Sequence, residues 1–182
     1  MLKDIILVRH GQSQKDKSNP QRKLTSTGAK QILNTSKEIY NLFPSVKVSL
    51  EIFTSNTTRT IMSANILANY FKIGEVKTSA NIRVKNIDLL ETVTDEDITV
   101  KYFSLFENNQ LSKTITPPPI VAARFLKVVT KINESTENII IVGHGTALEA
   151  FAYYQDIFIP AIHFSKELGY GDWLWLKRKV IN

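Results

Sequence analysis

Two of the three histidines in this 182-residue chain stand in nearly the same local setting. His10 follows Arg9 directly behind the apolar run Ile5–Val8 and precedes Gly11, in "ILVRHGQS". His144 lies between two glycines behind a second apolar run, Ile139–Val142, in "IIIVGHGTALEAF". A third segment, "FTSNTTRT", sets Ser55 and Arg59 behind another strand-like stretch. Guanidinium groups stay charged and match phosphate oxygens two at a time, so Arg9 and Arg59 suit a phosphate dianion. A neutral imidazole with one ring nitrogen free and the other held as a donor can attack phosphorus, forming a phosphohistidine that water then cleaves. A second imidazole, if protonated, can bind the equatorial oxygens and offset the charge of the transition state. His10 and His144 are the one histidine pair so placed.

These groups can act together only if the fold brings them to one place. Ile5–Val8 and Ile139–Val142 are short, continuous and rich in β-branched residues, as strands buried on both faces of a parallel sheet are. The polar, basic stretch from Gln12 to Lys23 reads as a loop. From Thr25 to Phe43 the period becomes helical, with Ala29, Ile32, Leu33, Ile39, Tyr40 and Phe43 on one side, Thr25 or Ser26 as cap and Pro44 after the end. A strand near Val46–Thr54, a helix over about Thr57–Tyr70 and a short strand near Val76–Ala80 follow. Residues 82–100 carry five acids, Asp88, Glu91, Asp95, Glu96 and Asp97, among apolar residues without a clean period, and their structure stays open. The "TPPP" at 116–119 breaks the chain before a helix over Ile120–Ile132. A helix over Ala147–Tyr154 and a last strand in "DWLWLKRKV", at a sheet edge, complete the order. Alternating strands and helices predict a single domain over 1–182, a three-layer α/β/α sandwich whose central sheet is mostly parallel with an antiparallel edge strand. Ligands of such sheets collect beyond the carboxyl ends of the strands, where Arg9, His10, Ser55, Arg59 and His144 all fall.

Composition narrows the classes further. The 23 basic and 17 acidic residues give a net charge of +6, which favours anionic partners without choosing among them. The absence of cysteine excludes disulfides, a thiol nucleophile and a thiolate zinc site, and permits a reducing cytoplasm. The N-terminal apolar run is too short for a signal-peptide core or a membrane span, so a soluble cytoplasmic protein is expected, with no membrane partner. The basic, aromatic "WLKRKV" makes neither a groove nor a reading helix and predicts a solvated strand end rather than a nucleic-acid surface. His163 has no matching motif and reads as a satisfied, half-buried imidazole; Arg124 reads as a member of a structural ion pair.

Four segments in order, "RHG" after the first strand, "LTSTGAKQ" opening the first helix, "SNTTRTIMSA" after the second strand and "VGHG" after a late strand, resemble the histidine phosphatase superfamily, also called phosphoglycerate mutase-like. The resemblance spans nearly the whole chain. It implies that His10 is the nucleophile that becomes phosphorylated and that Arg9, Arg59 and His144 hold the phosphoryl group. Gly11 would let the backbone pass close to that group, and Ser55 matches the family's serine before the second arginine. No metal or other cofactor is implied.

Two departures bear on the chemistry. The family's glutamate, the general acid, precedes an "ID" pair; laid on "RVKNIDLLETVTDEDI", that pair falls on Ile87 and Asp88 and leaves Asn86 in the glutamate's place. An amide donates no catalytic proton, and general acid catalysis is worth roughly 10²- to 10⁴-fold, so slow turnover of alkyl phosphates is expected. Glu91 or Asp88 can serve if the loop is arranged differently, or neither does; the sequence leaves this open. Many members also carry an asparagine six residues beyond the nucleophile, where this chain has Asp16, an anion that would repel phosphate unless paired or turned away. Too little chain lies between Glu91 and Thr116 for the insert of the glycolytic mutases, which favours a phosphatase. The expected partner is a small phosphorylated metabolite or a phosphoprotein, including phosphohistidine, since small phosphohistidine phosphatases of the superfamily also lack the glutamate. A weakly active phosphate-binding or regulatory protein is the alternative. The oligomeric state stays open.

Overall fold

The computed structural model describes residues 4–15, 19, 21–43, 49–90, 95–131, 138–155, 158–160 and 168–178. In chain order the elements are β1 (Asp4–Arg9), α1 (Ser26–Leu42), β2 (Leu50–Thr54), α2 (Thr58–Phe71), β3 (Val76–Thr78), a 3-10 turn (Ile87–Leu89), α3 (Asp95–Glu107), α4 (Pro118–Val129), β4 (Asn138–Gly143), α5 (Gly145–Tyr154), β5 (Phe158–Pro160) and β6 (Trp173–Arg178). The strands form one sheet in the order β3-β2-β4-β1-β6-β5. β1, β2, β3 and β4 run parallel, and β6 is antiparallel to both β1 and β5.

The unbroken apolar runs of β1 and β4 follow from burial on both faces. Alternate residues of a strand point to opposite sides. Ile5, Leu7, Ile139 and Ile141 therefore pack with Phe125 of α4 and Phe151 of α5. Ile6, Val8, Ile140 and Val142 pack on the other side with Ile32 and Ile39 of α1 and Leu67 and Phe71 of α2. These two clusters are the cores of the sandwich, and each fully buried side chain contributes about 1.5–3 kcal/mol relative to exposure. Tyr102 of α3 joins the first cluster, its hydroxyl donating to the Thr116 carbonyl at 2.6 Å.

Local signals explain most boundaries. Thr25 caps α1, its Oγ1 accepting from the Gly28 amide at 3.0 Å. Lys72 ends α2 in the left-handed conformation, φ 59° and ψ 42°. α4 begins at Pro118, two residues before the expected start, because proline is preset for the first helical turn where its missing N–H costs nothing. α5 begins at Gly145 rather than Ala147, so its first turn starts directly behind His144.

Other features depart from the sequence pattern. The unassigned stretch 82–100 holds the 3-10 turn and the start of α3. Leu33, expected on the buried side of α1, is 40% exposed, whereas Thr35 and Ser36 are buried. Their hydroxyls make this possible: Ser36 Oγ donates to the Ile32 carbonyl at 2.8 Å, and Thr35 Oγ1 donates to the Gly171 carbonyl. The last strand is antiparallel as expected but lies one place in from the edge, which β5 occupies. Three residues are too few to show a strand period, so β5 leaves no pattern to read. Residues 46–48 of the expected strand and Ile132 at the end of the expected helix lie outside the described residues. Among the described residues no helix is long and apolar enough to cross a membrane.

Candidate active site

The sheet register brings the chemistry-bearing segments to one level. Arg9 pairs with Gly143 across β1 and β4, and Thr54 pairs with Val142 across β2 and β4. Three strands thus end side by side, and the residues that follow them emerge together. The His10 amide donates to the Gly143 carbonyl at 3.0 Å and the Ser55 amide to the Val142 carbonyl at 3.2 Å, continuing the ladders into the turns. Arg59 is the second residue of α2, and His144 is the N-cap of α5.

Gly11 is required by packing. A Cβ there would lie 2.2 Å from the Gly28 carbonyl oxygen, while a Cβ at Gly28 would lie 2.0 Å from the Gln12 carbonyl oxygen. The loop behind His10 therefore rests backbone against backbone on the first turn of α1. The Gly11 amide donates to Ser63 Oγ at 3.2 Å, and Ser63 Oγ donates to the Arg59 carbonyl at 2.9 Å, tying this loop to α2.

Hydrogen bonding settles the histidine tautomers. A carbonyl can only accept, so the Gly11 carbonyl, 2.7 Å from His10 Nδ1, places the proton on Nδ1. His10 Nε2 is left as the acceptor and takes a hydrogen bond from Arg59 Nε at 3.2 Å. His144 Nδ1 likewise faces Arg59 Nη2 at 3.4 Å, and its Nε2 lies 3.2 Å from Ser55 Oγ and 3.4 Å from Thr57 Oγ1. A guanidinium can only donate, so His144 carries its proton on Nε2, toward the hydroxyls. The two rings meet edge to face, their centroids 5.1 Å apart.

Both imidazoles are neutral in this arrangement. Burial, followed by the charges of Arg59, Arg9 and Arg22, pushes His10 from 6.5 down to about 3, against the opposing pull of the Gly11 carbonyl. His144 is held well below the ordinary histidine range by burial and by His10, Arg59, Arg9 and Arg22. The protonated second histidine envisaged from sequence is thus not the state of the site without an anion.

Arg9 is buried, its Nη1 donating to the Leu168 carbonyl and its guanidinium carbon lying 4.3 Å from the centre of the Tyr170 ring. Its Nε is buried without a hydrogen-bond partner among the described residues, a costly state that an anion can relieve. The groups face a cavity of about 480 Å³, lined by four arginines, Arg9, Arg22, Arg59 and Arg83, with His10, His144 and the first residues of α5. The N-terminal turn of that helix adds the positive end of its dipole.

Arg9, His10, Gly11, Ser55, Arg59 and His144 therefore converge. Asn86 lines the same cavity, in the left-handed conformation at φ 57° and ψ 22°, with Nδ2 donating to the Thr114 carbonyl at 2.7 Å. Asp88 lies in the 3-10 turn, and its side chain is not among those described. Glu91, Asp16 and His163 lie outside the described residues. Arg124 corrects its expectation: Nη1 donates to the hydroxyl of Thr116, just ahead of α4, at 3.2 Å, rather than to a carboxylate. Sequence reasoning missed Arg22, Arg83 and Tyr170. Arg22 belongs to the basic loop, whose composition was a weak signal; the other two have none beyond residue type.

Comparison with known proteins places this geometry. The sequence profile of the histidine phosphatase superfamily (branch 1) matches residues 5–161. No curated protein sequence matches the chain. Among solved structures, a mycobacterial glucosyl-3-phosphoglycerate phosphatase complexed with VO3 is similar at 16% identity with a TM-score of 0.66, over 97% of this chain and 96% of its own. An Escherichia coli protein proposed to be an alpha-ribazole-5'-P phosphatase is similar at 19% and 0.65, over 98% and 96%. A phosphoserine phosphatase mutant from Entamoeba histolytica, in complex with phosphoserine, is similar at 19% and 0.57, over 81% and 76%. At these identities the structures establish a shared fold. The profile match carries the rest, since it runs through β1, β2 and β4 and the arginines and histidines behind them: the chain belongs to the histidine phosphatase superfamily and is a phosphatase.

Proposed function

We propose that this phosphatase, a single domain over residues 1–182, transfers the phosphoryl group of a small phosphomonoester or a phosphohistidine to His10 and then to water, without a metal. The observation that carries this reading is the tautomer of His10: Nδ1–H is fixed on the Gly11 carbonyl, so the lone pair of Nε2 faces Arg59 and the cavity. In the first step that lone pair forms a bond to phosphorus while the bond from phosphorus to the leaving group breaks. In the second, water attacks phosphorus, the P–N bond breaks, inorganic phosphate leaves and His10 regains its lone pair.

Arg59 has to release Nε2 as the phosphate arrives, and the phosphoryl oxygens take over its guanidinium. Arg9, immobilised by Leu168 and Tyr170, supplies a fixed positive charge. A dianion in contact with His144 reverses the electrostatic balance there and favours the imidazolium, which then offsets charge on the equatorial oxygens. Ser55 and Thr57 orient that ring. The cavity of about 480 Å³ and the phosphatases that share the fold favour a small metabolite over a phosphoprotein, and the cysteine-free chain fits a reducing cytoplasm.

The leaving group is the weak point of the site. Asn86 stands where a proton donor is expected, so Asp88 or Glu91 supplies the proton or substrates with good leaving groups are preferred. The same amide favours the second reading, a pocket that binds phosphate with little turnover. Mixing the protein with a radiolabelled reactive phosphodonor separates the two: acid-labile label on His10, absent in His10→Ala, is the expected result. Tight phosphate binding without covalent label at His10 would establish the pocket-only reading.

A further inference from the structure

The charges around the cavity exceed what one phosphate requires. Arg9 and Arg59 match a phosphate dianion, and both histidines are neutral before it binds. Arg22 and Arg83 add two more positive charges to the lining, and no carboxylate side chain lines the cavity among the described residues. Arg22 acts electrostatically on both histidines and so belongs to the phosphate end. Arg83 is not among the charges that act on either histidine. It stands in the segment between β3 and the 3-10 turn, half-buried, next to Val84 in the lining.

Arg83 also has no hydrogen bond or ion pair among the described residues, unlike Arg9, Arg59 and Arg124. A guanidinium partly withdrawn from water is costly unless it is paired. The space is sufficient for a second group, since about 480 Å³ lies in the range of cavities that enclose whole small molecules.

Resting on the phosphatase reading above, we propose that Arg83 is a second anion subsite. The substrate is then a small phosphomonoester that carries a further anionic group, a carboxylate or a second phosphate. The phosphoryl group sits among Arg9, Arg59 and the histidines, and the second anion pairs with Arg83. This narrows the substrate class by charge: neutral sugar-alcohol phosphates and phosphorylated amines leave Arg83 unpaired and bind less well.

Calorimetric titration with three phosphonates that cannot be hydrolysed tests this without turnover: propylphosphonate, 3-phosphonopropionate and propane-1,3-bisphosphonate. Charge-assisted hydrogen bonds make one or both dianionic-plus ligands bind about 10- to 100-fold more tightly than propylphosphonate, and which of them does so distinguishes a carboxylate from a phosphate. Arg83→Gln reduces that ratio toward one, and Arg83→Lys, which keeps the charge, restores part of it; thermal melting verifies that both variants fold. Equal affinities of the three ligands in the unaltered protein overturn the subsite, as does a preference that survives in Arg83→Gln. Labelling of His10 by an aryl phosphate, run in parallel, tells the two readings apart. Label with equal affinities removes the subsite alone, whereas no label and no phosphonate binding removes phosphoryl transfer through His10 and the subsite with it.

Discussion

The depressed basicity of His10 makes a sharp prediction about stability. Its proton affinity falls from 6.5 in the unfolded chain to about 3 in the folded one, so between these values the unfolded chain binds one proton more. Stability therefore rises with pH across this window. The contribution is fully present above about pH 6.5 and is lost progressively as pH falls toward 3. At about 1.36 kcal/mol per unit, the whole span is worth roughly 5 kcal/mol, and the part lost between about pH 7 and pH 5 is roughly 2 kcal/mol. His10 is only 3% exposed, so solvent screening does not greatly reduce these figures. Urea unfolding of the unaltered protein and of His10→Asn, at half-unit steps between those pH values, isolates the effect, because contributions from carboxylates and from His144 are largely common to both. The variant is expected to lose roughly 2 kcal/mol less on acidification. Parallel stability curves would refute the claim that His10 is buried as the neutral base and, with it, the claim that the nucleophile is ready without deprotonation.

Two further substitutions probe the frame of the site. Gly28→Ala would raise helix propensity by about 1 kcal/mol in an exposed helix, but here the new Cβ meets the Gln12 backbone at 2.0 Å, so a net loss of about 1–3 kcal/mol is expected in urea unfolding. An unchanged or raised midpoint would show that the loop behind His10 does not rest on α1. Asn86→Glu places a carboxyl at the family's acid position, yet the left-handed backbone there costs a non-glycine, non-asparagine residue roughly 1–2 kcal/mol and the bond to Thr114 is lost. Alkyl phosphate hydrolysis is therefore expected to rise by less than about 10-fold; a gain of about 100-fold or more would show that a missing acid is the sole defect.

The parts of the molecule legible in the sequence are those where one local rule decides. Strands buried on both faces must be apolar at every position, so β1 and β4 announce themselves, and the residues behind them inherit a location from the rule that ligands gather at the carboxyl ends of strands. Thr25 and the prolines at 117–119 mark helix starts by their own backbone chemistry. What stayed hidden depends on contacts between distant segments. Tyr170 reaches Arg9 and His10 from the turn before β6, and nothing in "LGYGDW" distinguishes it from a surface tyrosine. Thr35 and Ser36 are buried on α1 because carbonyls of Gly171 and Ile32 accept their protons, which no hydropathy pattern records. The left-handed turn at Asn86 is a further case: the departure from the family looked like the loss of a proton donor, while the backbone shows that the position also favours asparagine on conformational grounds.

A pocket of arginines beside two neutral imidazoles solves the first half of phosphoryl transfer well: the nucleophile is uncharged at any ordinary pH, and the positive field attracts the dianion that it must attack. The same field opposes a second requirement, because a carboxylic acid placed among arginines is pushed toward its ionised form and gives up its usefulness as a proton donor. A site with this charge is therefore better matched to leaving groups that depart with little protonic help. An anionic substituent on the leaving group reinforces that match, since a guanidinium at Arg83 that holds the departing fragment also offsets the negative charge developing on it.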